Sequence, residues 1–462
     1  LCDEENAFLK DASWLAGKRV VVVGLGVTGR ACAGVLSPLG VDVIVTDTRS
    51  DLSALGDAVA AVESAGARFA PAQEAANSDP QLVIVSPGLS PEHDFVKRFT
   101  DRGAPAISEI ELAYRLAEGT FVGLTGTNGK TTVAGLTGHV LSAKYADVRV
   151  VGNIGDPLIE AVADSTGDTV FVTELSSYQL ELCETLKPRV SMILNVQPDH
   201  LERHGTMDAY AAAKRRLIGN QGSGDSALLN ADDPRVRDMA GRTGADVLFV
   251  STRGEVESGG FVRSGVLTAR IGNREVALAH VEDMRLKGEH NHANALNAGL
   301  CGLLLDVPAD DVAGRLCSFA GFPHRIQHVA EKNGVEFVDD SKATNPDAVL
   351  AALRAFRGRP LVLLLGGDDK GLDYTEFYEA VRGAASHAVI VGPGLRRMAG
   401  ELRAAGFGSV HTADTMDEAV RAAAGLAVPG GVVLLSPASS SFDLFKNYAE
   451  RGRVFTDAVH AL

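Results

Sequence analysis

Phe121-Val122-Gly123-Leu124-Thr125-Gly126-Thr127-Asn128-Gly129-Lys130-Thr131-Thr132 decides how the rest of this chain is read. An apolar strand, Phe121 to Leu124, runs into a Gly-rich turn and then into a helical stretch opening at Lys130. Glycines let successive backbone N–H groups face one oxyanion, and a helix N-terminus adds partial positive charge. Lys130 can reach the β- and γ-phosphates of a nucleotide, and the Thr131 hydroxyl suits a Mg²⁺ ligand. Gly126, Thr127, Asn128, Gly129, Lys130, Thr131 and Thr132 are thus a candidate phosphate site, with ATP the expected ligand. The pattern departs from G-x-x-x-x-G-K-[ST] at one position, where Leu124 stands between Gly123 and Gly126.

A chain of 462 residues is too long for one ordinary core, and two to four domains are expected. Many Ala, Gly and Val residues, few aromatics and a single Trp14 suit an α/β architecture. The net charge of −15 argues against general binding to nucleic acid or a membrane surface. No apolar run approaches a membrane span, and no charged-then-apolar leader opens the chain. It begins at Leu1 without Met, as expected of a trimmed or partly recorded N-terminus. Cys2, Cys32, Cys183, Cys301 and Cys317 show no C-x-x-C spacing and read as reduced thiols of a cytoplasmic protein.

Lys18 to Val23 reads as a buried strand entering Gly24-Leu25-Gly26-Val27-Thr28-Gly29 and a helix to about Leu39. A second strand, Val41 to Val45, ends at Thr46-Asp47. This is a βαβ unit with G-x-G-x-x-G and an acid after the next strand. By itself it says that a phosphate-bearing nucleotide can sit on the turn, and a nicotinamide dehydrogenase is one reading. A strand from Gln81 to Val85 closes in Ser86-Pro87-Gly88, at the sheet edge where open α/β domains bind ligands. Ile107 to Leu116 reads as a helix joining this domain to the next.

Beyond the phosphate loop, three apolar runs each stop in a polar cluster. Val148 to Val151 ends in Gly152-Asn153-Ile154-Gly155, Val170 to Glu174 in Glu174-Leu175-Ser176-Ser177-Tyr178-Gln179, and Val190 to Val196 in Asn195-Val196-Gln197-Pro198-Asp199-His200-Leu201. Polar residues so placed project from one edge of a parallel sheet. Glu174 and His200 suit Mg²⁺ coordination; a helix-capping acid and a hydrogen-bonded loop histidine are the plainer alternatives. Lys214 reads from composition as a solvated helix lysine. Residues 249–285 read as hairpin-like, with turns at Gly259-Gly260 and Gly272-Asn273. Asn291 and Asn294 share a helical face and could read an adenine or ribose edge, with capping by Asn291 equally open. After Phe322-Pro323-His324-Arg325 the alternation restarts. Strands there lead to Asp339-Asp340-Ser341-Lys342-Ala343-Thr344, Gly366-Gly367-Asp368-Asp369-Lys370 and Ser436-Pro437-Ala438-Ser439-Ser440-Ser441-Phe442. Three such strand ends in one domain form a ligand face. The expected fold is α/β with three domains: Rossmann-like at 1–109, P-loop ATPase-like at 110–321 and Rossmann-like at 322–462.

With these clusters quoted, the chain resembles the Mur ligases, ATP-dependent amide-forming enzymes of peptidoglycan precursor synthesis. The resemblance covers nearly the whole chain. It rests on Thr125 to Thr132, Gly152-Asn-Ile-Gly155, Glu174-Leu-Ser-Ser177, Asp199-His200, His290-Asn-x-x-Asn294 and His324-Arg325. Asp340-Ser-Lys-Ala-Thr-Asn345 and Ser436-Pro-Ala-x-x-Ser-Phe-Asp-x-Phe-Lys-Asn447 are most similar to members that add D-glutamate to UDP-N-acetylmuramoyl-L-alanine. The resemblance implies that the first Gly-rich turn holds uridine diphosphate, through Val27, Thr28, Asp47, Thr48, Arg49 and Gly88. Asn153, Ser176 and His200 would touch the muramoyl end. Lys130 would contact the γ-phosphate, while Thr131 and Glu174 would hold one Mg²⁺ and His200 and Lys214 a second. The family's matching lysine is carbamylated, which gives Lys214 a role that composition does not. Asn291, Asn294, Arg325 and Asp340 would position ATP, and Lys342, Thr344, Ser441 and Phe442 would bind D-glutamate. Lys130, His200, Lys214 and Lys342 are then the catalytic set, acting through an acyl phosphate and a tetrahedral intermediate in a chain expected to be a monomer. Closure by the C-terminal domain is also expected, since Lys130 and Lys342 lie in separate domains. Gln197, where relatives often carry Thr, and Asp368-Asp369-Lys370, where they carry G-D-G-K, are departures.

Three competitors remain at this stage. Another Mur-type or folylpolyglutamate-type ligase would differ in its amino-acid dependence. A nicotinamide dehydrogenase with a spare P-loop would show no ATP turnover. An idle P-loop protein is disfavoured by the joint presence of Lys130, Thr131, Glu174, His200 and Lys214.

Overall fold

A computed structural model describes residues 12–49, 55–154, 156–286, 289–368, 374–394 and 396–462. The chain divides into two compact units, residues 1–320 and 321–462. Leu1, Cys2, Gly155, Asp369 and Lys370, all named above, lie outside the described residues.

The first unit carries two sheets. Strands β1 (Arg19–Val23), β2 (Asp42–Thr46), β3 (Arg68–Phe69), β4 (Leu82–Val85) and β5 (Ala106–Ser108) pair in the order β3-β2-β1-β4-β5, all parallel. Val20 to Val23 are buried on both faces, each contributing about 1.5–3 kcal/mol, as the unbroken valine run requires of a strand covered by helices on both sides. The chain runs outward from β1 to β2 and β3, then crosses back to β4 on the other side of β1, so the winding reverses there. Ligands of open sheets bind at that switch point, beyond the strand ends. The expected helix from Ile107 is instead a short strand followed by a helix, Glu109–Leu116. Ile107 pairs with Ile84, and the Ser108 hydroxyl accepts from the Glu111 N–H as the helix cap. Likewise the first helix stops at Leu36, and Ser37-Pro38-Leu39 continues as a 3₁₀ turn.

The second sheet is built from β6 (Thr120–Thr125), β7 (Val148–Gly152), β8 (Val170–Glu174), β9 (Val190–Ile193), β10 (Ser226–Asn230), β11 (Asp246–Ser251), β12 (Gly259–Arg263), β13 (Val266–Ile271) and β14 (Arg274–His280). Its order is β14-β13-β12-β11-β10-β9-β6-β8-β7, parallel until β12 and antiparallel beyond. The phosphate loop therefore leaves a strand flanked by β8 and β9, whose ends carry Glu174 and the run towards His200. Gly259-Gly260, read as a turn, opens β12 instead. A Cβ on Gly259 would lie 1.8 Å from Phe249 O, so close strand approach explains that glycine. Gly272-Asn273 is the turn between β13 and β14. Helix Lys130–Leu141 packs beneath the sheet on helix Glu289–Leu304, with Val133, Leu136, Val140, Leu296 and Leu300 in one core.

One carboxylate joins the two sheets of this unit. Glu111 is fully buried and accepts hydrogen bonds from the N–H groups of Glu184, Thr185 and Leu186, the Thr185 hydroxyl and the Arg115 guanidinium.

The second unit holds β15 (Gln327–Lys332), β16 (Val335–Asp339), β17 (Leu361–Gly366), β18 (His387–Val391), β19 (Val410–Ala413) and β20 (Val432–Ala438), in the order β15-β16-β20-β17-β18-β19. Only the β15–β16 pair is antiparallel among these described strands.

Candidate active site

β6 delivers the loop at the centre of the second sheet. Leu124 is fully buried in the core, which accounts for the apolar residue at the departing position of the motif. Gly129 caps helix Lys130–Leu141 at φ 86, and a Cβ there would lie 2.9 Å from Asn294 Oδ1. Both the left-handed backbone and the approach of Asn294 require glycine. Asn294 Nδ2 donates to Asn291 Oδ1 at 2.8 Å, so the two amides form one buried pair directly behind the loop. Asn291 lies inside the helix, which begins at Glu289, and so does not cap it.

Lys130 Nζ donates to Gly126 O and Thr127 O, each at 2.9 Å. Lys214 Nζ donates to the same Gly126 O, at 2.9 Å, and lies 4.6 Å from the centre of the Tyr210 ring. Two ammonium groups thus meet on one carbonyl oxygen. Lys214 is buried, which, with the charge of Lys130, brings its pKa down to about 7; burial lowers that of Lys130 as well. The solvated helix lysine expected from composition is thus corrected: helix Met207–Gly219 turns Lys214 inward onto the loop. Thr131 Oγ1 donates to Glu174 Oε2 at 2.9 Å, and Asn153 Nδ2 donates to Glu174 Oε1 at 3.0 Å. Glu174 does not cap the following helix; Ser176 does, in a capping box with Gln179.

His200 caps helix Leu201–His204 with φ 54, half exposed, and stands near Asp199 Oδ2 (3.6 Å) and Glu202 Oε1 (3.7 Å). Its ring is 4.9 Å from that of Tyr178 and 6.2 Å from that of Tyr210. Tyr210 therefore stands between His200 and Lys214, and its hydroxyl reaches Thr127 Oγ1 at 3.2 Å.

Asn195 was not selected from the sequence. Its Oδ1 accepts from the N–H groups of Thr127 (2.9 Å) and Asn128 (2.8 Å), and its Nδ2 donates to Asn128 O at 3.0 Å. Gln197 completes the brace, accepting from Asn128 Nδ2 at 2.9 Å and donating its N–H to Thr127 Oγ1 at 3.0 Å. The only sequence signal was an amide at a strand end, which a turn would also supply.

At the first turn, a Cβ on Gly29 would lie 1.9 Å from Gly24 O, so helix Val27–Leu36 packs directly on the end of β1. Val27 is exposed and Thr28 half-buried at its start. Asp47 accepts from Leu25 N–H (2.9 Å) and Arg49 N–H (3.0 Å), and the Arg49 guanidinium grips both its oxygens at 2.8 Å. The hydrogen bonds from Arg49 hold its pKa down to about 2. A carboxylate so filled is poorly placed to accept ribose hydroxyls as the acid of a dinucleotide site would. Thr48 and Gly88 are exposed beside this turn, and the buried Ser86 Oγ, facing Gly24, has no hydrogen-bond partner among the described residues.

In the second unit, Asp340 is buried at the end of β16, accepting from Ser436 Oγ (2.7 Å) and Ile326 N–H (3.2 Å). Burial pushes its pKa up to about 7. Lys342 is exposed over the Tyr448 ring at 5.6 Å; its N–H donates to His324 O, while Arg325, beside His324, is half-buried. Thr344 follows it, half-buried. Ser441 is buried and Phe442 is 72% exposed. Arg451, another residue the sequence did not flag, is buried and donates to Ser341 Oγ, Ser341 O, Gly366 O and Ser439 O, pinning three strand-end loops together.

The model of the Mur ligase MurD-like N-terminal domain matches residues 18–108, that of the Mur ligase middle domain 124–302, and that of the Mur ligase glutamate ligase domain 324–439. The UDP-N-acetylmuramoylalanine–D-glutamate ligase of Geobacter metallireducens is 41% identical over 452 residues, 97% of this chain and 98% of the relative. That of Pelotomaculum thermopropionicum is 39% identical over 454 residues, 96% and 98% of the two chains.

The chain belongs to the Mur ligase family. Among solved structures, the UDP-N-acetylmuramate-alanine ligase of Thermotoga maritima aligns with this Mur ligase at 19% identity and a TM-score of 0.47, covering 96% of this chain and 99% of that one. The family models and the full-length ligase relatives set aside the dehydrogenase and idle P-loop readings. Members of the family use ATP, typically with Mg²⁺. The donor set of this Mur ligase fits that ion: Thr131 and Glu174 pair a hydroxyl with a carboxylate beside the loop. Among the described residues no group of three His, Cys, Asp or Glu side chains could hold a metal alone, and Mg²⁺ usually takes one or two protein oxygens plus phosphates. No described helix is long and apolar enough to cross a membrane.

Proposed function

We propose that this Mur ligase is an ATP-dependent amide ligase that joins D-glutamate to UDP-N-acetylmuramoyl-L-alanine in peptidoglycan precursor synthesis. The observation that carries the reading is the convergence of Lys130 and Lys214 on Gly126 O, next to the Thr131–Glu174 pair. Two amines crowded on one carbonyl part in role: Lys130 is poised as a cation for the triphosphate, and Lys214 is pressed to give up its proton.

The carboxylate of the L-alanyl group is a poor acyl donor until ATP phosphorylates it. The D-glutamate amine then attacks the acyl phosphate, and the tetrahedral intermediate expels phosphate. Gly126 to Thr132 cradle the triphosphate, Lys130 turns from the loop carbonyls to the γ-phosphate, and Asn291, Asn294, Arg325 and Asp340 position ATP. Bound Mg²⁺, as two ions, would neutralise the phosphates and the substrate carboxylate, held by Thr131 and Glu174 and by His200 and Lys214. A pKa near 7 leaves about half of the Lys214 amine unprotonated at neutral pH, against on the order of one in a thousand for an ordinary lysine. That amine can take up carbon dioxide as a carbamate, turning a cation into an oxygen ligand. Val27, Thr28, Asp47, Thr48, Arg49 and Gly88 hold the uridine diphosphate, with Asp47 acting through its grip on Arg49. Asn153, Ser176 and His200 receive the muramoyl end. Lys342, Thr344, Ser441 and Phe442 bind D-glutamate, Lys342 facing a carboxylate. The working domains run 1–109, 110–321 and 322–462, in a cytoplasmic monomer.

Binding of UDP-N-acetylmuramoyl-L-alanine to wild type and to R49A tests the substrate assignment. R49A is expected to bind at least about tenfold more weakly, about 1.4 kcal/mol; unchanged affinity would remove the first turn from the site.

A further inference from the structure

One cation outside the groups already assigned ties the two sheets of the 1–320 unit together at the rim of the candidate site. Arg203 lies on helix Leu201–His204, with its side chain 13% exposed. Nη1 donates to Pro87 O at 3.0 Å, and Nη2 donates to Leu89 O at 3.1 Å and to the Glu181 carboxylate. The guanidinium carbon sits 4.4 Å from the centre of the Tyr178 ring. Pro87 and Leu89 flank Gly88 in the turn that follows β4, while His200 caps the helix that carries Arg203. One side chain therefore spans the distance between the turn of the first sheet and the histidine loop of the second. The same helix is held from the other side by His204, whose Nε2 lies 2.9 Å from Ser177 Oγ.

A guanidinium is a rigid planar fork. It satisfies two carbonyls and a carboxylate together only at one relative position of turn and helix. The carbonyls it grips belong to the two residues on either side of Gly88, so a ligand pressing on that turn bears directly on the fork. His200, three residues before Arg203, bears on the phosphate loop through Tyr210, whose hydroxyl meets Thr127. The path from turn to loop is thus continuous: Pro87 and Leu89, Arg203, the helix, His200, Tyr210 and Thr127.

We propose that Arg203 is a positioning residue that couples occupancy of the turn after β4 by the nucleoside-diphosphate substrate to the placement of His200 beside the phosphate loop. This rests on the reading above that Gly88 belongs to the uridine diphosphate site. Arg203 itself touches neither substrate nor nucleotide. It makes binding at one strand end favour binding at the other, by the same factor in each direction.

Calorimetric titration of UDP-N-acetylmuramoyl-L-alanine, with and without Mg²⁺ plus a non-hydrolysable ATP analogue, measures that factor. In wild type the magnesium–nucleotide is expected to tighten substrate binding about 5-fold or more, within the usual range for coupled sites. R203K keeps the positive charge, but an ammonium cannot fork across both carbonyls, and the factor should fall to about 1. The Mg²⁺ concentration giving half-maximal rate should rise in the same variant. A latch that merely holds the unit together predicts a lower Tm in R203K with the coupling factor intact, and that result overturns the proposal; so does a factor of about 1 in wild type. E181Q provides a second reading if R203K folds poorly. It leaves both carbonyl bonds and loosens one end of the fork, so a partial loss of coupling supports the proposal and an unchanged factor contradicts it. Failure of the underlying site assignment looks different: the R49A measurement would then show no change while wild type still bound substrate.

Discussion

At the residue scale, the chemistry is concentrated in groups that the fold has made uncomfortable. Lys130 and Lys214 share an acceptor and are both largely desolvated, so Lys130 gains when an anion arrives and Lys214 when it gives up its proton. K130A is expected to lower kcat at least about 100-fold, the usual loss on removing one charge-stabilising donor, read from phosphate release under saturating substrates. K214A should lose comparable activity and recover part of it with added formate or acetate, which can supply the missing oxygens; no recovery in a folded variant counts against the carbamate. Lys214 also fixes a pH dependence. Its folded pKa of about 7 lies below the unfolded value, so the unfolded chain holds the extra proton between the two, and stability rises with pH from about 7 to 10. Denaturant melts of K214M in buffer free of carbon dioxide should lack that rise. The place of Lys130 and Thr131 on the loop was legible in the sequence because neighbouring glycines mark it. Lys214 and Asn195 were not, since each acts through a fold that brings it to the loop from 60 or more positions away.

At the scale of elements, strand-end placement was the strongest signal. Apolar runs stopping at Glu174, Asp339 and Gly366 are β8, β16 and β17, with their polar residues at the expected edges. What failed was the reading of short pieces: Ala106–Ser108 has three residues and pairs through the tertiary fold, and β10 and β11 were not read as strands although Gly222-Ser223-Gly224-Asp225 and Asp232-Asp233-Pro234 bound β10. The joint that follows β5 carries a buried acid that no motif singles out. Glu109 accepts from Ile159 N–H at 2.6 Å, and burial lifts its pKa to about 7. The native chain keeps this proton longer than the unfolded one, so stability falls as pH rises from about 4 to 7. E109Q keeps an acceptor oxygen without the charge. It should melt with wild type at pH 5 and be more stable at pH 8, by about 1–3 kcal/mol; equal Tm at both values would show that Glu109 is not held protonated.

At the scale of the whole molecule, an acidic chain handles acidic reactants because glycine turns and a few cations are gathered at strand ends, against a net charge of −15. The two Gly-rich turns sit on separate sheets of one unit, and the Asp340–Lys342 loop belongs to the other unit. Physics alone reaches an enzyme that phosphorylates one anion and presents it to another. The choice of D-glutamate comes from Asp340 to Asn345 and from relatives matched over nearly their full length. Phosphate release by the purified chain with ATP, Mg²⁺, UDP-N-acetylmuramoyl-L-alanine and single amino acids tests that choice most directly. Turnover is predicted with D-glutamate and not with L-glutamate, L-alanine, L-lysine or meso-diaminopimelate. Equal turnover with another of these amino acids, or release that needs no uridine compound, would contradict it.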